Sequence, residues 1–433
     1  MLDLTTHWTG LAALAVFLAA YGLVILEETT HLRKSKPVLL AAGLIWALIG
    51  VAYTLAGEAE AAHAHAVEMI AQYGELFLFL LAAITYVNTL EERRVFDVLR
   101  MRLVNMGLSY RQLFWLTGIL AFFLSAVLDN LTTALIMGAV VLAVGSRSPR
   151  FAALACISLV VAANAGGAFS PFGDITTLMV WQKGKLAFWD FFALFLPAAV
   201  NWLVPAAILH FAVPATSPDP RTDRVRMKPG AVGVIVLFAL TILTAVMFKN
   251  LLHLPPAMGM MLGLGYLQFW SYLLQRKGRR RGDADMVLDS FTQIARVEWD
   301  TLLFFFGIIF AVGGLGVLGY LTLASNVLYA GLGATPANII LGVLSAVVDN
   351  IPLMFAVLSM NPPMGEGQWL LITLTCGVGG SLLSIGSAAG VALMGQSKGV
   401  YTFASHLKWS WAVALGYAAS IGVHFLLNAR LFP

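Results

Sequence analysis

The sequence predicts an all-α polytopic membrane protein built from two related halves of opposite orientation. Three observations carry that prediction: an apolar composition, basic residues gathered in particular loops, and a duplicated set of polar interruptions. Of 433 residues, 60% are hydrophobic and 11% charged, against about 25% charged in soluble domains. A soluble fold of this size would need far more polar surface to cover its core. Apolar stretches of about 20 residues, each long enough to cross a bilayer, recur from end to end.

The opening residues MLDLTTHWTG carry an acidic residue and no Lys or Arg. That is a poor signal-peptide start, so the N-terminus is expected to be retained. Cys156 and Cys376 lie inside apolar segments and are expected as free packing thiols rather than a disulfide or a metal site. The net charge of +4 does not point to nucleic acid, because the basic residues sit in short loops between spans.

Full spans are expected near 11–28, 38–56, 75–90, 191–213, 231–249, 256–274, 299–320 and 407–429. Four segments fit that pattern badly. Residues 112–146 hold Asp129-Asn130 near their centre and are short for two spans and a turn, which need roughly 40 residues. Residues 336–360 are shorter still and hold Asp349-Asn350. Residues 151–182 and 369–396 are long enough to span but are interrupted by Gly, Ser, Asn or Pro.

Lys and Arg decide orientation. Basic loops occur at 33–36, 91–111, 147–150, 221–228 and 276–296, whereas the loops 57–74 and 361–368 have no Lys or Arg. Placing the basic loops in the cytoplasm puts both termini outside. Segment 112–146 then enters and leaves from the cytoplasm, and segment 336–360 from the other side.

Self-comparison gives the same layout. SAVLDNLT (125–132) reappears as SAVVDNIP (345–352). ELFLFLLAAITYVNTL (75–90) aligns with DTLLFFFGIIFAVGGL (300–315), and NAGGAFSPFGD (164–174) with GVGGSLLSIGS (377–387). Each half reads span, hairpin, broken span. Inverted repeats with interrupted helices are a transporter signature. The expected divisions are N-terminal scaffold spans 1–74, a first repeat 75–213, a linking region 214–298 and a second repeat 299–433.

Uncovered backbone cannot face lipid, so a helix broken at membrane depth must line a polar cavity or be buried in protein. Polar residues cluster at the four breaks: Asp129, Asn130, Thr132 and Thr133; Asn164, Ser170, Asp174, Thr176 and Thr177; Ser345, Asp349 and Asn350; Ser381, Ser384 and Ser387. All supply oxygen ligands, as Na⁺ or Li⁺ requires. Pro352 suits the first turn of a returning half-helix, where its missing N–H costs nothing. No Arg or Lys lies within a break, which argues against a phosphate or carboxylate substrate. An intramembrane carboxylate is expensive and usually functional. Asp-Asn also suits a plain turn, and any one Ser or Thr more often packs helices than binds an ion. Desolvation raises a carboxylate's pKa and a nearby cation lowers it. Na⁺ and H⁺ are therefore expected to compete for Asp129, Asp174 and Asp349.

VLDNLTTALIM, ANAGGAFSPFGDITTLMVW, VVDNIPLMFAV and GVGGSLLSIGSAAGVALMG resemble the NhaD-type sodium/proton antiporters of the ion transporter superfamily. The resemblance covers nearly the whole chain after about residue 70, and FSPFGDITT is specific. Dicarboxylate and citrate carriers of the wider superfamily carry Ser-Asn-Thr at the hairpin tips. Here the tips read Asp-Asn-Leu-Thr and Asp-Asn-Ile-Pro, which favours a cation alone as substrate. The resemblance implies Na⁺ (or Li⁺)/H⁺ antiport in a bacterial inner membrane, with no cofactor. It also implies a homodimer with a scaffold and a mobile transport domain working as an elevator. It implicates Asp129, Asn130, Asn164, Asp174, Thr176, Thr177, Ser345, Asp349, Asn350, Ser381 and Ser384 in ion handling, with Na⁺ at Asp129, Asn130, Asp174, Asp349 and Asn350. Glu75, Glu298 and Asp300 match acidic positions near span ends, where interfacial charges that snorkel to water are the alternative reading.

Three readings stand at this point: Na⁺(Li⁺)/H⁺ antiport, Na⁺-coupled carriage of an organic or metalloid anion, and an intramembrane aspartyl protease using Asp129 and Asp174. The protease reading needs Gly-x-Gly-Asp, and here Pro171 stands two before Gly173. The segment GEAEAAHAHAVE (57–68), with His63 and His65, reads as a solvated loop that could also sense pH. Residues 92–111 read as an interfacial amphipathic helix.

Overall fold

The computed structural model describes residues 3–30, 32–218 and 225–432. Arg221 and Arg224 of the basic segment 221–228 and the first two residues lie outside them. The helices of eight residues or more are, in order, α1 (Trp8–Ile25), α2 (Ser35–Leu55), α3 (Ala59–Glu92), α4 (Val95–Asn105), α5 (Tyr110–Ser125) and α6 (Asn130–Val144). They continue as α7 (Pro149–Ala168), α8 (Ile175–Gln182), α9 (Phe195–His210), α10 (Ala231–Asn250), α11 (Pro256–Arg281) and α12 (Trp299–Val317). The last five are α13 (Ala334–Leu344), α14 (Asn350–Met360), α15 (Glu366–Gly379), α16 (Ala388–Ser397) and α17 (Ser410–Leu427). Among the described residues, nine helical stretches are long and apolar enough to cross a membrane. The chain is an all-helical, multi-pass membrane protein.

Two segments read as loops are helical. Residues 59–74 form the first turns of α3, a helix of 34 residues. Five alanines between 59 and 66 supply the strongest intrinsic helix propensity, and His63 and His65 sit on that helix. The basic run after residue 275 likewise continues α11 to Arg281, where Gly282 ends it in the left-handed region (φ 65°). Cations in the last turn are favourable partners for a helix carbonyl end. The interfacial segment forms α4, an 11-residue helix.

By internal contacts the chain divides into two compact units. The first comprises residues 1–95 and 226–326, the second 96–225 and 327–433. Each sequence repeat therefore begins in the first unit, with 75–95 or 299–326, and continues in the second. Within the first unit α2 lies between α1 and α12, and α11 between α3 and α10. Arg93, fully buried, donates to the carbonyls of Pro229, Asp285 and Val287 and pairs with Glu92, which also receives Lys228 at 2.7 Å. A buried guanidinium is tolerated only when saturated in this way.

All four interrupted segments lie in the second unit. Helix α5 stops at Ser125 and α6 starts at Asn130, while α13 stops at Leu344 and α14 starts at Asn350. Helices α13 and α14 have 11 residues each, about 17 Å at 1.5 Å per residue, too short for a hydrocarbon core of about 30 Å. Helix α6 with the turn that follows it (Asn130–Arg147) is among the nine stretches long enough to cross. Helix α7 breaks at 169–174 before α8, and α15 at 380–387 before α16.

The packing crosses between halves. Helix α6 lies against α16, and α14 against α8, so each returning helix meets the far side of the other half's break. Within halves, α5 packs on α7 and α13 on α15 at glycine contacts. A Cβ on Gly166 would lie 2.1 Å from the Phe122 carbonyl oxygen, and one on Gly379 would lie 1.9 Å from that of Gly342. Cys156 and Cys376 are free and buried.

Candidate functional site

The site begins at the helix ends that the breaks create. Each half-helix leaves free amides or free carbonyls at its broken end, and these side chains are what the sequence supplies to meet them. Asp129 caps α6: its Oδ1 accepts from Thr132 N at 2.8 Å and its Oδ2 from the Thr132 hydroxyl at 2.6 Å. Asp349 caps α14, accepting from Ile351 N at 3.3 Å. Asp174 caps α8 through Oδ1, accepting from Thr176 N at 3.0 Å. Ser387 caps α16, accepting from Gly390 N at 3.3 Å.

Asp174 is the centre. It is 4% exposed, and its Oδ2 accepts from Asn130 Nδ2 and from Asn350 Nδ2, both at 3.0 Å. The first residue of each returning helix thus reaches the same carboxylate oxygen. Among the described residues, the hydrogen bonds to that side chain come from uncharged donors. Asn164, fully buried on α7, extends the network. Its Oδ1 accepts from Asn130 at 3.0 Å, and its Nδ2 donates to Ser381 Oγ at 2.8 Å and Ser387 Oγ at 3.0 Å. One continuous chain of hydrogen bonds therefore joins all four breaks.

The remaining hydroxyls serve the backbone of the breaks. Thr177 Oγ1 donates to the carbonyls of Ser170 and Asp174, and Ser345 Oγ to that of Cys376 at 3.0 Å. Ser125 makes the matching bond in the first half, to Ala163 O at 2.6 Å. These two bonds join aligned positions of the two halves, as do the two glycine contacts above. Thr133, Thr176 and Ser384 are buried at the breaks, and among the described residues Thr133 Oγ1 has no hydrogen-bond partner. Asp129 and Asp349 are only partly buried.

Of the eighteen candidate site residues singled out from sequence, the fifteen at the breaks belong to this second unit. Glu75, Glu298 and Asp300 belong to the first. There Asp300 accepts from the Ser35 hydroxyl, and Glu298 accepts from the Thr301 hydroxyl at 3.1 Å. Sequence reasoning missed Ser125, whose duplication in SAVLDN and SAVVDN was the available signal. It also missed His406 and Tyr401, which stand in YTFASHLKW with nothing to mark them. Among the described residues no group of three or more His, Cys, Asp or Glu could hold a metal ion. The oxygen-rich set here is amide and hydroxyl chemistry around one central carboxylate.

Comparison with known proteins shows the family to which the chain belongs. The family model described as "Citrate transporter" matches residues 11–377. The chain is 55% identical to the Na(+)/H(+) antiporter NhaD of Alkalimonas amylolytica, covering 100% of this chain and 93% of that protein. It is also 55% identical to NhaD of Halomonas elongata, over 100% of this chain and 91% of the other. Sodium/proton antiporter 1 of Arabidopsis thaliana is 33% identical, over 95% of this chain and 72% of that protein. These are transporters rather than enzymes, and full-length similarity at this level means that the chain belongs to the NhaD antiporter family, within the wider group that the citrate-transporter model describes.

Proposed function

We propose that this protein exchanges Na⁺ or Li⁺ for H⁺ across a bacterial inner membrane, with Asp174 as the group for which the two cations compete. The observation that carries the proposal is the position of Asp174, buried and held by one Asn from each hairpin tip. Four helix amino ends and four carbonyl ends occur at the breaks. Their partial charges of about half a unit each roughly cancel. What remains is the charge of three carboxylates, Asp129, Asp174 and Asp349, which favours a cation. The full-length likeness to proteins named Na(+)/H(+) antiporters supports the same reading.

The chemistry follows from the amides. Asn130, Asn164 and Asn350 each carry an NH₂ donor and a carbonyl acceptor on one flat group. All three neighbours donate to Asp174 as an ionised carboxylate, so a proton on it is satisfied when one amide turns its Oδ1 to accept from the carboxyl O–H. With Na⁺, a half-turn of each amide presents Oδ1 to the ion, and Asp174 must be ionised. Sodium and proton therefore exclude each other at one carboxylate, which is sufficient for exchange if the loaded site moves only when neutralised. Asp129 and Asp349 act as helix caps that keep the tips negative and accessible to an entering ion. Thr132, Thr133, Thr176, Thr177, Ser345, Ser381 and Ser384 shape the breaks and offer oxygen ligands.

In this account the second unit, which holds every break, is the transport domain of an elevator, and the first unit is the scaffold and homodimer contact. The repeats are inverted, with basic loops in the cytoplasm and both termini outside. The matched bonds of Ser125 and Ser345 support that duplication. The description of the matching family model favours a second reading, carriage of an anion such as citrate. Vesicles of known sidedness with a pH-sensitive dye separate the two. NaCl or LiCl without an organic anion moves protons in the first reading, and an organic anion is required in the second.

A further inference from the structure

We infer that His406 is a positioning residue for this ion site, acting through the backbone of the second helix break; the inference rests on the break being part of that site. His406 lies in the short helix Phe403–Leu407 and is fully buried, outside the set of polar break residues. Its Nε2 is 2.8 Å from the carbonyl oxygen of Ser381, and its Nδ1 is 2.7 Å from the hydroxyl of Tyr401. A carbonyl oxygen can only accept, so Nε2 carries the hydrogen. In the neutral ring Nδ1 is then the acceptor, and the Tyr401 hydroxyl donates to it.

This arrangement answers a need created by the break. Ser381 follows the end of α15, where carbonyls lose their helical partners. A buried carbonyl without a donor is costly, because nothing replaces the water it gives up. The carbonyl that His406 engages belongs to the residue whose hydroxyl receives Asn164 Nδ2. Asn164 in turn fixes Asn130, which reaches Asp174. His406 is itself fixed, because Tyr401 is 1% exposed and its backbone exchanges bonds of 3.0 Å with Ser397 Oγ at the end of α16. The clamp Tyr401–His406–Ser381 therefore ties both sides of the break 380–387 together. A second buried histidine, His424, makes the same kind of bond to Gly367 O at 3.1 Å near the start of α15, away from the break. It serves as an internal control.

Two measurements on full-length protein test the inference. In reconstituted vesicles, H406L should raise the Na⁺ concentration for half-maximal exchange at least tenfold, while the maximal rate at saturating Na⁺ falls less than threefold. H406Q, which carries an amide N–H near the position of Nε2, should restore half-saturation to within threefold of wild type, and Y401F should fall between. H424L should lower the unfolding temperature without changing half-saturation. Hydrogen–deuterium exchange of residues 380–387 should rise in H406L, return in H406Q and stay unchanged in H424L, whatever ion is carried. Unchanged exchange at 380–387 in H406L, or equal effects of H406L and H424L on half-saturation, would overturn the inference. Wild-type vesicles without Na⁺- or Li⁺-driven proton movement would instead overturn the proposed function, leaving the exchange measurement to judge His406.

Discussion

The substitution Asp174→Asn separates the structural role of this carboxylate from its chemical one. Three uncharged donors reach it: Asn130 Nδ2 and Asn350 Nδ2 on Oδ2, and Thr176 N on Oδ1, all at 3.0 Å. An Asn offers one acceptor oxygen and one NH₂, so at least one of the three donors faces another donor unless an amide turns. A buried hydrogen bond left unmade costs about 1–3 kcal/mol. Removing a buried formal charge relieves a desolvation penalty of several kcal/mol. The two effects oppose each other, so the variant should stay within about 3 kcal/mol of wild-type stability and insert normally. Transport has no such compensation, since the amide binds neither a proton nor Na⁺ as an ionised carboxylate does. Exchange should fall at least about 100-fold, or about 2.7 kcal/mol at 1.36 kcal/mol per factor of ten. The assay is dye quenching on NaCl addition to vesicles holding equal amounts of each protein, alongside thermal unfolding in detergent. A correctly inserted D174N that keeps more than a third of wild-type exchange at saturating Na⁺ would refute the reasoning.

Other consequences are open to test. Asn is as good a cap as Asp, so D129N and D349N should fold. Loss of their charge should raise half-saturating Na⁺ at least tenfold rather than abolish exchange, which a Na⁺ titration reads directly. If protons compete with Na⁺ at one carboxylate, half-saturating Na⁺ should rise about tenfold per pH unit below that group's pKa and level off above it; a pH-independent value would exclude competition. G379A should force α13 from α15 and cost at least about 3 kcal/mol in unfolding, whereas G43A, with nothing within 4 Å, should be neutral or slightly stabilising. R93K would leave buried carbonyls of Pro229, Asp285 or Val287 unpaired and should lower stability by about 3 kcal/mol, measured by thermal unfolding.

Much of the fold was legible because bilayer length and helix geometry leave few options. Helix ends at Ser125 and Asn130, and at Leu344 and Asn350, bracket the two Asp-Asn pairs, since Asp is a strong cap and interrupted helices require one. The start of α3 was not legible, because Glu and His read as loop while alanine propensity and continuity with a span decide for helix. At the site, Asp129, Asp174 and Asp349 were equivalent as sequence. Structure distinguishes them, because only Asp174 sits where both tips converge. Which atom an Asn offers, and to which break, depends on cross-half packing that no local pattern encodes. His406 was illegible for another reason: its partner is a backbone carbonyl 25 residues earlier, and a lone histidine near a span end has no signature.

The most direct test of the central claim uses purified protein in sealed liposomes. An imposed pH gradient, with no organic anion present, should drive uptake of radiolabelled Na⁺, and an imposed Na⁺ gradient should drive proton movement in the opposite sense. Both should vanish in D174N. Na⁺ uptake that needs an added carboxylate, or that proceeds unchanged in folded D174N, would contradict the account.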